Sequence, residues 1–158
     1  MKTHRTISRR ALLAGLAIAP AAFSAAAEGL PRMTVTKDPN CGCCTGWVGH
    51  LRKAGFTADV VETSEINRLK VRLGVPQDLA SCHTAEIGGY VIEGHVPAGA
   101  IKRLLAEKPQ AKGLAVPGMP VGSPGMEVPG ADPDTYEVVL FGPSGQSTFA
   151  RYHGTWQV

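Results

Sequence analysis

Three cysteines fall within four positions of this sequence, as Cys41-Gly42-Cys43-Cys44, and a fourth, Cys82, is followed directly by His83. The first three lie after a strand-like stretch and before an apolar helical repeat. A helix N-terminus presents free N–H groups and the positive end of the backbone dipole, and both stabilise thiolates. Gly42 lets the backbone turn tightly enough for neighbouring sulfurs to converge. Thiolates gathered on one loop form a soft donor set suited to Cu(I) or Zn(II). Cys82-His83 adds a soft and a borderline ligand. Met119 and Met126 sit in a Gly/Pro-rich stretch with no helical or strand face to bury them, and thioethers select Cu(I). The candidate metal ligands are therefore Cys41, Cys43, Cys44, Cys82, Met119, Met126 and His83. Copper fits this set; zinc fits the thiolates but not the methionines.

Disulfides are the competing use of four cysteines in an oxidising compartment. A structural framework spreads its cysteines along the chain, whereas these are gathered, so a bridge inside the cluster would close a short loop and add little chain entropy. Cys41 and Cys44 also form a C-x-x-C between strand and helix, the arrangement of a thiol–disulfide oxidoreductase. Against that reading, Cys43 offers a third nucleophile that a two-thiol cycle does not need. The segment Cys82-His83-Thr84-Ala85-Glu86 also lacks the proline that such enzymes set opposite their active site. The other histidines are weaker candidates: His50 lies one turn beyond the cluster, His95 is placed to cap a helix, and His153 is placed to face solvent. No serine-nucleophile elbow, P-loop or dinucleotide fingerprint occurs.

The elements that must position these residues follow from pattern. Met33–Thr36 reads as a first strand, ended by the turn residues Lys37-Asp38-Pro39-Asn40. Trp47, Val48, Leu51 and Ala54 recur at helical spacing, with Gly55 as the stop. Phe56–Val61 reads as a second strand. Ser64 is placed to cap a helix that turns Ile66, Leu69 and Leu73 inward and Arg68, Lys70 and Arg72 outward. Ile87–Glu93 suggests a hairpin about Gly88-Gly89, and Pro97 opens a helix burying Ile101, Leu104 and Leu105. Nine of residues 113–130 are Gly or Pro, so this stretch is expected to be a long loop. A late hairpin, Tyr136–Phe141 with Ser147–Tyr152, closes the chain. This order predicts a small α/β sandwich with an added C-terminal β-hairpin.

Composition bounds the rest. The 158 residues carry 16 Lys+Arg against 13 Asp+Glu, a net charge of +3. Lys2, Arg5, Arg9 and Arg10 account for the excess, because without them 12 basic residues face 13 acidic ones. A near-neutral domain lacks the field that attracts phosphates, so no nucleic-acid partner is expected. Residues 1–27 read as an export signal: a basic start, an alanine-rich apolar run, and Ala25-Ala26-Ala27 as a cleavage site. Arg9-Arg10 followed by Leu12-Leu13 resembles a twin-arginine signal. The expectation is one metal-binding domain over 28–158, periplasmic, with no membrane anchor after cleavage near Ala27.

Taken together, Cys41-Gly42-Cys43-Cys44 with Trp47, Ser81-Cys82-His83-Thr84, Glu93-Gly94-His95-Val96-Pro97, Gly118-Met119-Pro120 and Gly122-Ser123-Pro124-Gly125-Met126-Glu127 resemble the CopG-type copper-resistance family. This family is catalogued as a domain of unknown function and is distinct from the DNA-binding repressor of the same name. The resemblance implies a thioredoxin-like core that binds copper through Cys41, Cys43, Cys44 and Cys82, with Met119, Met126 and His83 as further candidates. It also implies a part in copper handling, including interconversion of Cu(I) and Cu(II), beside other periplasmic copper-handling proteins. Four thiolates exceed what one two- or three-coordinate Cu(I) needs, so a small multinuclear site is expected.

Overall fold

The computed structural model describes residues 29–158, so the expected export signal lies outside the described residues. The first strand, β1 (Met33–Lys37), buries Met33 and Val35 completely. Helix α1 (Gly42–Lys53) buries Cys44, Trp47, Val48 and Leu51, the i, i+3, i+4, i+7 face that the apolar spacing predicts. Strand β2 (Ala58–Glu62) returns parallel to β1, as a strand–helix–strand unit must. Helix α2 (Ile66–Leu73) and a short 3-10 turn (Gln77–Leu79) lead to the hairpin of β3 (His83–Ile87) and β4 (Tyr90–Glu93). Helix α3 (Ala98–Glu107) follows Pro97 and buries Ile101 and Leu104.

Three local expectations are corrected here. Ser64 does not cap α2: the helix starts after Glu65 without a side-chain cap, and Thr63 Oγ1 instead accepts the Glu65 N–H at 3.0 Å. Lys70 does not point outward either; it is 5 % exposed, because a buried carboxylate on β4 draws its ammonium inward. The Gly/Pro stretch is also not wholly loop. Gly113–Ala115 forms β5, fully buried and paired on both sides, parallel to β4 and antiparallel to β6.

The late hairpin forms as expected from β6 (Thr135–Gly142) and β7 (Gly145–His153), and a two-residue strand, β8 (Trp156–Gln157), adds to its edge. The eight strands among the described residues join one mixed sheet in the order β2-β1-β3-β4-β5-β6-β7-β8. Neighbouring residues on a strand face opposite sides, and the two sides carry different cores. Ile92 joins the main cluster with Trp47, Leu51, Ile101 and Leu104 of α1 and α3. Val91 joins the smaller cluster of Leu79, Ala115 and Phe141, against which Leu73 of α2 packs. Among the described residues, no helix is long and apolar enough to cross a membrane.

Candidate metal centre

The cluster is built where β1 hands over to α1. Asp38 accepts the Asn40 N–H through its side chain at 2.8 Å and the Cys41 N–H through its carbonyl at 3.1 Å, fixing the turn. Cys41 then occupies the N-cap in extended conformation, and Cys43 and Cys44 lie in the first turn of α1, which contains no acidic residue. The register of β1 and β3 pairs Lys37 with His83. The start of β3 is thereby set beside the end of β1, and Cys82 beside the cysteine loop.

The sulfurs of Cys41, Cys43, Cys44 and Cys82 all lie within 4.8 Å of one another. Cys43 Sγ is 3.4 Å from Cys41 Sγ and 3.8 Å from Cys82 Sγ, so it joins the loop to the strand. Cys41 and Cys44 are bonded as a disulfide, and Cys43 and Cys82 are free. Two of the four expected thiols are thus held as one bridge in this state. Burial and the neighbouring Cys43 push the Cys82 thiol up to about 11.

Cys82 is also part of a second group. His83 Nδ1 lies 3.4 Å and His95 Nε2 3.2 Å from its sulfur, and ligand atoms of the three residues converge within 4.8 Å. A metal about 2.0–2.3 Å from sulfur and nitrogen ligands separates them by about 3.3–3.8 Å, close to these spacings. Both rings are fully buried. Burial, assisted by His95, pushes His83 down to about 3, and burial likewise lowers His95, so both imidazoles are neutral at ordinary pH. The His83 ring packs at a tilt against Trp47, centroids 4.2 Å apart, and its Nε2 is buried without a hydrogen-bond partner. Trp47 Nε1–H donates to Val96 O at 2.9 Å, locking α1 to the segment that carries His95.

His95 is the site residue that sequence reasoning missed. It was expected to cap α3, but that role falls to His50, whose Nε2 accepts the Ala98 N–H at 3.1 Å. His153 contacts Thr135 Oγ1 at 3.1 Å on the outer hairpin, apart from the converging ligands. Met119 and Met126 ride on the loop after β5, whose backbone is fastened at the rim of the site. Ser81 Oγ donates to Gly118 O at 2.8 Å, next to Met119. Gly125, next to Met126, has φ +86°, and a Cβ there would stand 2.5 Å from Trp47 N and 2.7 Å from Cys43 O. Only glycine allows that approach. Met119 is 54 % exposed, whereas Met126 is half-buried.

Known proteins resemble this chain in sequence and fold. A family profile described as "Protein of unknown function, DUF411" matches residues 79–126, spanning Cys82, His83, His95 and the loop to Met126. No curated protein matches the chain. A solved structure titled "Copper resistance protein copG- Form 2" is 46 % identical, covers 79 % of this chain and 99 % of its own, and superposes with a TM-score of 0.74. Its Form 1 is 45 % identical over the same shares, with a TM-score of 0.73. The chain belongs to the CopG-type copper-resistance family. Residues 41–44 lie outside the matched profile region, so in this CopG-family chain the geometry, rather than the profile, unites the three-cysteine loop with Cys82.

Proposed function

We propose that this chain is an exported, periplasmic copper-binding protein that holds Cu(I) through clustered thiolates and acts in copper resistance. The carrying observation is the convergence of four cysteine sulfurs at the start of α1. Soft thiolates favour Cu(I), and sulfurs this close can bridge several ions. Residues 1–27 serve as a twin-arginine-like signal, and 28–158 form one domain. A thioredoxin-like core is supported by the β1-α1-β2 parallel unit followed by the antiparallel β3-β4 hairpin and α3. Met119 and Met126 supply thioethers from the tethered loop.

The two donor groups meeting at Cys82 support interconversion of Cu(I) and Cu(II). The all-sulfur side suits Cu(I), while Cys82 with the neutral imidazoles of His83 and His95 offers the nitrogen-rich set that Cu(II) accepts. Two electrons and two protons from an external thiol reductant convert the Cys41–Cys44 bridge to two thiols. Oxidation of that pair back to the disulfide releases two protons and reduces two Cu(II) to two Cu(I).

Anaerobic Cu(I) loading of the reduced protein, desalting and elemental analysis test the reading. More than one copper per chain is expected; no retained copper overturns it. The bonded Cys41–Cys44 pair favours a second reading, a thiol–disulfide oxidoreductase. That reading requires disulfide reductase activity that Cys41→Ser abolishes, together with full copper stoichiometry in Cys43→Ser.

A further inference from the structure

The fully buried Glu93, at the end of β4, receives three hydrogen bonds on one carboxylate. Lys70 Nζ donates at 2.5 Å, the Ser81 backbone N–H at 2.6 Å, and the Thr84 hydroxyl at 2.6 Å. Lys70 Nζ also donates to Thr84 Oγ1 at 2.8 Å. Ser81 and Thr84 flank the dipeptide Cys82-His83, so a single side chain grips both ends of the segment that presents these ligands.

The polypeptide after Glu93 tightens the same grip. Gly94 N–H donates to His83 O at 3.1 Å. Gly94 has φ +71°, and a Cβ there would stand 2.5 Å from Val116 O and 2.7 Å from Ser81 Oγ. Ser81 passes the constraint onward through Gly118 O to the methionine loop. The contacts of the Cys82 sulfur, at 3.2–3.9 Å, are those of a weak donor and acceptor and hold it less firmly than the bonds at either end of its segment.

We propose that the buried Lys70–Glu93 pair is a positioning clamp that holds Cys82 against the cysteine loop. Neither residue hydrogen-bonds a metal-ligand atom; Glu93 acts through the Ser81 backbone N–H and the Thr84 hydroxyl, and Lys70 through Glu93 and the same hydroxyl. Fold stability alone does not require such a pair, since well-packed apolar residues commonly replace a buried ion pair without loss. Its effect is local, on the ligand segment. This inference rests on the copper reading only for the meaning of the position, not for the position itself.

The double substitution Lys70→Met with Glu93→Met tests it. Both charges leave together, so no buried charge is stranded and the net charge of the chain is unchanged. In the metal-free disulfide form only Cys43 and Cys82 are free, and iodoacetamide labelling with peptide mapping reads each separately. With the fold retained by circular dichroism, Cys82 labelling should rise about fivefold while Cys43 stays within about twofold. In the reduced protein, Cu(I) affinity measured by chelator competition should fall about tenfold. Unchanged Cys82 labelling in the folded double variant overturns the clamp. Should that variant not fold, Thr84→Val decides: it removes one anchor of the clamp without changing any charge, and Cys82 labelling should rise about twofold, no rise being the overturning result. Wild-type protein that retains no copper sinks the copper reading, and the labelling result still decides the clamp.

Discussion

Nε2 of His95 lies 3.2 Å from the sulfur of Cys82, while Nδ1 of the same ring lies 2.8 Å from the carbonyl of Pro124. A carbonyl only accepts, so Nδ1 carries the proton and the neutral ring turns its lone pair toward Cys82. The carbonyl thus selects the tautomer a metal ligand needs, the usual task of an outer partner in a metal site. His95→Phe is expected to simplify the nitrogen hyperfine structure in the electron paramagnetic resonance spectrum of bound Cu(II), leaving the coupling of one imidazole, that of His83. Cu(I) stoichiometry should stay unchanged. Persistence of the full nitrogen pattern would remove His95 from the ligand set.

Cys43 stands between the bonded pair and Cys82, with sulfurs at 3.4 and 3.8 Å on either side. Cys43→Ser should therefore reduce the copper retained per reduced chain after desalting, by at least one ion. It should leave the Cys41–Cys44 bridge able to form. Elemental analysis and thiol counting read the two effects independently.

His83 makes stability depend on pH. Its pKa in the folded chain is about 3, against an ordinary value of 6.5. Above pH 6.5 both folded and unfolded chains hold it neutral, and its full contribution is present. As pH falls from 6.5 toward 3, only the unfolded chain takes up the proton, so stability drops by at most about 1.4 kcal/mol per pH unit from this group. Urea unfolding across that range should show the slope, and His83→Phe should flatten it. His95, shifted in the same direction by burial, leaves a remaining slope.

Gly125→Ala forces a side chain against Trp47 N and Cys43 O from a left-handed backbone. The loop must lift from the start of α1, and a loss of about 2 kcal/mol or more in unfolding free energy is expected. Chemical denaturation measures it. Gly118→Ala, which meets no atom within 4 Å although its backbone is also left-handed, should cost less.

The gathering of the cysteines at the start of α1 was legible because residue type and strand–helix placement are local properties. The same holds for the β3–β4 hairpin and the α1 face, where a 3.6-residue repeat or a Gly-Gly turn needs no distant partner. His95 was not legible, since its role depends on the β3–β4 pairing that brings it beside Cys82 and on a carbonyl from a loop 29 residues further on. Lys70 failed for a related reason. Basic residues on an amphipathic helix ordinarily face water, and only the sheet order reveals the buried carboxylate awaiting this one. Gly-Leu-Ala at 113–115 has no strand-like pattern of its own; its neighbours on both sides make it a strand.

The methionine loop is fastened by main-chain carbonyls, Gly118 O to Ser81 and Pro124 O to His95, and by a glycine contact. None of these ties involves the side chain of Met119. That position works like an interchangeable fitting on a fixed bracket: its side chain can be swapped for an imidazole or a carboxylate while the bracket keeps its place. The side-chain chemistry of this rim is therefore open to single-residue change without rebuilding the fold.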